Sequence, residues 1–255
     1  MSRGTTVPGY ARTRVRGAEV VALEPLLPAV RQALVTGTLH EFAAAHPEAV
    51  ALAGRDVAWA APLPGDGTRV VVRHTRHGGT LAPVTGDLFL FPRARQELET
   101  AVRLAAAGVP TPEIVAYVLY RAGIFRRSDV ATREIPRASD LARALLADHG
   151  AVQKRLLLEA TARLIAQLGR AGAHHPDLNL KNVLLAPGPT SRLRAWVLDV
   201  DRVTFGAAGD PRVTAANIGR LERSARKWRD ERGAPVSEDD LAWLRSAVDR
   251  ERSRP

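Results

Sequence analysis

The stretch HHPDLNLKNVLL, residues 174 to 185, packs two histidines, an aspartate and two asparagines directly before a hydrophobic run. His175, Asp177 and Asn182 have the spacing H-x-D-x-x-x-x-N, and Asp199 then ends a second hydrophobic segment in AWVLDVD. Phosphoryl transfer needs an aspartate to accept the hydroxyl proton, and an amide and a carboxylate to hold Mg²⁺ on the phosphates. The pattern therefore predicts catalytic positions at Asp177 and His175. Asn182 and Asp199 are the predicted magnesium ligands.

The same residues have other interpretations. Asparagine is frequent in turns because its side chain bonds the local backbone, so Asn179 and Asn182 are also compatible with plain turn positions. His175 is compatible with a bracing role in the loop. A zinc or non-haem metal site at His174, His175 and Asp177 is a further alternative, although it needs a distant additional histidine. The joint pattern, with a hydrophobic segment on each side, favours phosphoryl transfer.

Upstream, the chain has the pattern of a β-rich lobe with one amphipathic helix. In residues 57–79, two apolar runs flank the turn-rich PLPGDG, as in a hairpin. Residues 93–108 have helical periodicity and a glycine stop at Gly108. Two further strands are predicted at residues 113–125 and 128–135.

Helical periodicity dominates both ends of the chain. One or two helices are predicted over residues 20–46, and mostly helix follows Pro136. The sequence thus predicts an α+β fold with a helical extension over residues 1–50, a small β-rich lobe over 51–136 and a mostly helical lobe over 137–255. A cleft between two such lobes is a natural ligand site.

A kinase site also needs a basic strand residue to pair with the phosphates and a helix glutamate to hold it. The first lysine of the chain is Lys154, in the helical lobe, so no lysine is available for that strand. Arg73, at the end of RVVVR, takes this place, with Glu97 on the following helix as its partner. Arginine binds in bidentate fashion where lysine acts as a point charge. Because Glu99 lies nearby, Glu97 is also compatible with a solvated helix face.

Two familiar kinase segments are thin or missing. LAGRDVAW offers only Gly54 and Arg55 where a glycine-rich phosphate loop would lie. After Asp199 the chain continues into helix without the A-P-E segment of protein kinases. This favours a small or lipid-linked acceptor over a protein substrate.

The net charge of +10 is typical of proteins that meet phosphate-bearing partners, although arginine-rich codon usage also produces it. With 5% aromatic residues and no DNA-reading motif, nucleic-acid binding is disfavoured, whereas contact with anionic lipid stays open. The chain has no cysteine, which favours a reducing compartment and excludes a cysteine-ligated zinc site. We expect no export signal and no membrane-spanning helix, because no run of about 20 apolar residues occurs.

Several of these segments resemble the bacterial 3-deoxy-D-manno-octulosonic acid (Kdo) kinases of the lipopolysaccharide core kinase family. The resemblance covers about residues 50 to 230. It is carried by VVVRHTRHGG, GDLFLF, RARQELETAVRLAAAGVPTPEIVAY, HHPDLNLKNVLL, VLDVDR and NIGRLERSARKW. It implies a protein-kinase-like, two-lobed fold. It also implies an ATP- and Mg²⁺-dependent enzyme that phosphorylates the 4-hydroxyl of lipid A-linked Kdo at the cytoplasmic face of the inner membrane.

The resemblance also implies roles for individual residues. Asp177 is the base, Asn182 and Asp199 bind magnesium, and Arg73 with Glu97 positions the phosphates. Arg55 falls in the G-R element of the family's phosphate loop. The chain departs from the family at Asp56, where a glycine is usual, and at Lys181, where a histidine is frequent.

Alternative functions are a related kinase acting on another sugar, a small molecule or a protein, and a pseudokinase that binds lipopolysaccharide or ATP without turnover. Basic residues of the C-terminal helices are compatible with contact to the anionic glycolipid in an anionic leaflet, or with a solvated helix face. These are Arg220, Arg223, Arg226, Lys227 and Arg229.

Overall fold

The computed structural model describes residues 7–52, 57–75, 93–122, 125–147, 150–188 and 192–254. The chain divides into two compact units. The first contains the described residues up to 99 together with 113–134, and the second contains 100–112 and the described residues from 135 onward.

The first unit is built on a seven-stranded antiparallel sheet with the strand order β1-β2-β6-β7-β5-β4-β3. The strands are β1 Tyr10–Val15, β2 Ala18–Leu23, β3 Val50–Leu52, β4 Ala58–Pro62, β5 Arg69–Thr75, β6 Ile114–Ala122 and β7 Phe125–Arg133. Two short helices, α1 Leu27–Ala33 and α2 Leu39–Ala45, belong to the same unit, and α3 Ala94–Ala106 begins in it. The predicted hairpin and the two later strands are therefore present.

The alternation of side chains along β5 determines the face of the sheet on which Arg73 lies. Val70 and Val72 are fully buried in a cluster with residues of α1 and α2, such as Val30 and Leu39. Successive side chains of a strand point to opposite faces. Arg73 therefore lies on the face opposite that cluster.

The helical extension predicted over residues 1–50 is only partly found. Helices α1 and α2 lie in this region, but β1 and β2 form a hairpin, and β2 pairs with β6 inside the sheet. Arg16 and Gly17 both have positive φ, which fits a two-residue type I′ turn. The helix prediction for residues 20–23 was wrong because β2 is buried on both faces, so its apolar run shows no strand-like alternation.

The second unit is mostly helical, as predicted. Its helices are α4 Leu141–Leu146, α5 Ala151–Arg170, α6 Pro211–Arg232 and α7 Glu238–Arg252. Strands β8 Ser139–Asp140, β10 Val183–Pro187 and β11 Leu193–Val197 form a three-stranded sheet, and β9 Ala173–His174 pairs with β12 Thr204–Phe205. Within the described ranges, no helix combines the length and apolar character needed to cross a bilayer.

Close packing in the second unit brings α6 against α5. A Cβ added at Gly169 of α5 would lie 2.1 Å from Thr214 Oγ1 of α6, so only glycine permits this approach. Asp210 caps the start of α6 with Pro211 in its first turn, and Gly233, at φ 68°, ends it. Helix α6 is thus fixed beside the chain that follows α5, where the quoted stretch lies.

Candidate active site

The loop after β9 is shaped by its own amide side chains. The Asn179 side chain accepts hydrogen bonds from the N–H groups of Lys181, at 2.9 Å, and Asn182, at 3.2 Å, and so starts the 3₁₀ turn Leu180–Asn182. Asn182 in turn donates its Nδ2 to the Asp177 carbonyl at 2.9 Å. Asn179 is therefore a turn residue, as one interpretation held, whereas Asn182 keeps its side-chain oxygen for another ligand.

His175 is 1% exposed and joins two parts of the site. Its Nε2 lies 2.9 Å from the Leu198 carbonyl, and its Nδ1 lies 3.2 Å from the N–H of Asp177. A backbone carbonyl needs a donor and a backbone N–H needs an acceptor, so the ring is neutral with its proton on Nε2. Burial lowers the pKa of His175, which favours the same neutral form.

Asp199 directly follows Leu198, whose backbone N–H and carbonyl both form hydrogen bonds. The N–H of Leu198 donates to the Asn182 carbonyl at 2.9 Å, while its own carbonyl meets His175. Asp199 itself has φ 57° and ψ 54°, a left-handed conformation that costs a non-glycine residue roughly 1–2 kcal/mol. These bonds bring Asp177, Asn182 and Asp199 into one assembly, and the backbone strain lies at the predicted metal ligand.

Oxygen atoms of this assembly remain open to ligands. Asp177 is about half exposed, and its Oδ1 accepts a hydrogen bond from Arg220 Nη2 at 2.8 Å. Its other oxygen, the Asp199 carboxylate and the Asn182 side-chain oxygen have no partner among the described residues. Carboxylate and amide oxygens suit Mg²⁺, which keeps several water or phosphate oxygens of its own. The donor set therefore fits magnesium.

The zinc alternative gains no support from the described residues. Among them, no three histidine, cysteine, aspartate or glutamate side chains come together as a metal site. Both nitrogens of His175 are moreover engaged by the backbone.

Helix α6 holds the loop through three side chains that sequence reasoning did not assign to it. Asn217, fully buried, donates to the Ala173 carbonyl at 2.9 Å and accepts from the His175 N–H at 3.0 Å. Ser224 accepts from the Leu180 N–H at 3.2 Å. Together with Arg220, these residues occupy one helix face at intervals of three and four. That spacing of polar residues in NIGRLERS was the available signal.

In the first unit, the predicted contact between Arg73 and Glu97 is present. Arg73 Nη2 donates to Glu97 Oε1. Glu97 is 5% exposed, which excludes the solvated-face interpretation. The exposed acid is Glu99, which pairs with Arg95 at 2.8 Å on the helix surface.

The strand that carries Arg73 is anchored by a buried carboxylate. Asp129 of β7, fully buried, lies 2.6 Å from His74 Nδ1. It also accepts hydrogen bonds from the Tyr120 hydroxyl and the His40 N–H, both at 2.9 Å. Desolvation and the adjacent Asp129 charge raise the pKa of Tyr120, so the phenol remains a donor. Arg73 therefore projects from a firmly held part of the sheet.

Arg55 lies outside the described residues, as does the part of the phosphate-loop region around it. The glycine pair of VVVRHTRHGG and the segment GDLFLF lie outside them too.

The chain is similar to several known proteins. Residues 48–246 match the model of the lipopolysaccharide kinase (Kdo/WaaP) family. A 3-deoxy-D-manno-octulosonic acid kinase of Stenotrophomonas maltophilia is 31% identical over 258 residues, covering 97% of this chain and 91% of that protein. A protein of the same name from Vibrio parahaemolyticus is 29% identical over 204 residues, 76% of this chain and 79% of its own.

A solved structure titled "WaaP in complex with acyl carrier protein" shares the fold. It aligns with a TM-score of 0.55 at 23% identity, covering 92% of this chain and 89% of that one.

Proposed function

This chain belongs to the lipopolysaccharide kinase (Kdo/WaaP) family, and we propose that it transfers the γ-phosphate of ATP to the 4-hydroxyl of a Kdo sugar on a lipid A precursor. The observation that carries the proposal is the hydrogen-bonded assembly of Asp177, Asn182 and Asp199. The names of the curated relatives support the acceptor.

Asp177 orients the acceptor hydroxyl and removes its proton. The carboxylate oxygen that Arg220 does not engage is available for this hydrogen bond. Removal of the proton by a positioned base contributes about 10²- to 10⁴-fold to such reactions. Asn182 and Asp199 hold Mg²⁺, which neutralises charge on the transferring phosphoryl group when bound.

His175 acts as a positioning residue in this mechanism. The motif predicted a catalytic position for it, but its buried ring bonds only the backbone at Asp177 and Leu198. It holds the backbone of Asp177 and that of Leu198, the residue before Asp199, in fixed positions relative to each other.

Arg73 and Glu97 position the ATP phosphates in the proposal, with Arg55 contributing from the phosphate loop. Glu97 holds one end of the Arg73 guanidinium. The positive charge that binds the phosphates is then that of an arginine in place of a lysine. The two lobes proposed for this function correspond to the two compact units, the first with the described residues up to 99 and 113–134, and the second with 100–112 and the described residues from 135 onward.

The proposed location is the cytoplasmic face of the bacterial inner membrane, as a peripheral protein. The net charge of +10 and the anionic acceptor support contact with an anionic leaflet. Nucleic acid is not an expected partner.

The test is Mg²⁺-dependent transfer of labelled γ-phosphate from ATP to a Kdo-bearing lipid A precursor, with the Asp177→Asn variant as control. We expect labelled glycolipid with the unaltered protein and almost none with the variant. Transfer to other acceptors only would replace Kdo by another substrate. Binding of ATP without transfer to any acceptor would leave a pseudokinase.

A further inference from the structure

The base of the proposed reaction has a cationic partner that the transfer of phosphate does not itself require. Arg220 donates one N–H to Asp177 at 2.8 Å, and the exposed fractions of the two side chains are 41% and 47%. A guanidinium carries five N–H donors. Within the described part of the chain, the other donors of Arg220 have no acceptor. The pair is thus open on the solvent side.

Arg220 is held in place independently of this contact. Asn217, three residues earlier, and Ser224, four residues later, both bond the loop backbone. The helix segment between them is therefore docked, and Arg220 can bind a further group without losing its position beside Asp177.

The charge around Arg220 favours an anion. Arg223, one turn along α6, is exposed and has no partner among the described residues. Lys181 is also exposed, with its ammonium 5.8 Å from the ring of Trp228, one turn beyond Ser224. The nearest acid along the helix, Glu222, is buried and pairs with Arg245 instead. Between Asn217 and Ser224, the charged side chains of α6 that are not buried are therefore both cations, Arg220 and Arg223.

We propose that Arg220 binds the carboxylate of the acceptor sugar while it holds Asp177, so that the enzyme selects an acidic sugar. The inference rests on the proposed function. In a 2-ulosonic acid the carboxylate is attached to carbon 2, and the 4-hydroxyl lies two ring carbons away. One guanidinium between the two carboxylates then places that hydroxyl next to the free oxygen of Asp177. Planar, bidentate recognition of a carboxylate is what arginine does better than lysine.

A purely structural role for Arg220 makes a different prediction. If Arg220 only orients Asp177, its loss slows every acceptor alike. If it binds the acceptor carboxylate, its loss affects the acid and spares an acceptor in which that charge is absent.

The experiment compares two acceptors, the Kdo-bearing lipid A precursor and its Kdo methyl ester. Each is tested with the unaltered protein, Arg220→Gln, Arg220→Lys and the control Arg212→Gln, which changes an exposed arginine near the start of α6 that pairs with Asp210. We expect the unaltered protein to prefer the acid in kcat/KM by roughly 10- to 100-fold, the range for a charged hydrogen-bonded pair. Arg220→Gln should reduce that preference to about 1. Arg220→Lys should keep part of it, and Arg212→Gln should keep nearly all of it.

Binding of the same acid and ester is measured in parallel by calorimetry, with Mg²⁺ and a non-transferable ATP analogue present. An acid-to-ester ratio that is equal in the unaltered protein and Arg220→Gln, in binding and in turnover, overturns the inference and leaves the proposed function standing. A preference for the acid that Arg220→Gln removes in binding, without transfer by any protein, supports the inference and overturns the proposed function. Binding of neither compound overturns both.

Discussion

The loop at residues 174–182 and the pair formed by Arg73 and Glu97 are both predicted to meet ATP, but they are held by different means. The loop backbone is fixed by buried side chains such as His175 and Asn217, which are distinct from the groups left open to ligands. Arg73, by contrast, is held at its charged end by the buried Glu97. A substitution of a ligand-binding side chain of the loop should therefore leave the fold intact. A substitution of Glu97, by contrast, should change the orientation of Arg73, the residue proposed to bind the phosphates.

The largest expected effect tests the separation of chemistry from scaffold in the loop. Asp177→Asn should lower turnover by about 10²- to 10⁴-fold because the proton acceptor is removed. Nucleotide affinity should stay nearly the same, and the free energy of unfolding should change by less than about 1 kcal/mol, since the ion pair with Arg220 is half-exposed. Steady-state kinetics, calorimetric titration with Mg-ATP and urea denaturation check the three parts. Unchanged turnover would remove Asp177 from the mechanism.

The opposite change removes scaffold and leaves the chemical groups. Asn217→Ala should lower the free energy of unfolding by about 2–4 kcal/mol, because the His175 N–H and the Ala173 carbonyl lose their buried partner. Ser224→Ala, which removes one partly buried bond, is the matched control and should cost about 1 kcal/mol. Urea denaturation measures both. Equal stability of the two variants would show that Asn217 does not brace the loop.

In the first unit, Glu97→Gln should weaken Mg-ATP binding by roughly tenfold, because a charged hydrogen bond that orients Arg73 is replaced by a neutral one. Glu99→Gln, on the same helix but exposed, is the control and should change the affinity little. Calorimetric titration distinguishes them. A similar loss in both variants would trace the effect to the net charge of α3.

Arg73→Lys sharpens the same point. It keeps the positive charge and removes the planar donor pair, so we expect a smaller loss of Mg-ATP affinity than in Glu97→Gln. Lysine performing as well as arginine would show that charge alone is needed at this strand position. The same titration measures it.

The smallest expected effect concerns pH. Burial lowers the pKa of His175 below the ordinary value of 6.5, so the unfolded chain binds more protons than the folded one as the pH falls below that value. The contribution of His175 to stability is therefore complete above about pH 6.5 and is lost towards lower pH. His175→Gln should flatten the decrease in unfolding free energy between pH 7.5 and pH 5, measured by urea denaturation at each pH. An unchanged slope would place the acid sensitivity at other groups.

The sequence was most informative where function depends on local spacing. The positions of Asp177 and Asn182 follow from a short motif, and the contact of Arg73 with Glu97 follows from a strand followed by a helix. The strand β2 was missed because burial on both faces hides the alternation that marks a strand. The role predicted for Arg55 stays a prediction.

The spacing of polar residues in NIGRLERS marks one face of α6, but it does not show which part of the chain that face contacts. Arg220 contacts a residue 43 positions away, and Asn217 contacts one 42 positions away. Sequence reasoning assigned Arg220 to the basic helix surface because charge is visible in a sequence while a partner across the fold is not. Only packing of α6 against α5 reveals that the same helix face reaches the loop.

The left-handed backbone at Asp199 implies a conflict between thermal stability and activity at this one position. Glycine adopts this conformation without the steric penalty that an aspartate bears. Directed evolution for thermal stability alone would therefore favour replacing Asp199. Each variant selected in this way would be more stable but would lack the proposed magnesium-binding carboxylate. Mutant libraries designed to increase thermal stability should therefore leave codon 199 unchanged.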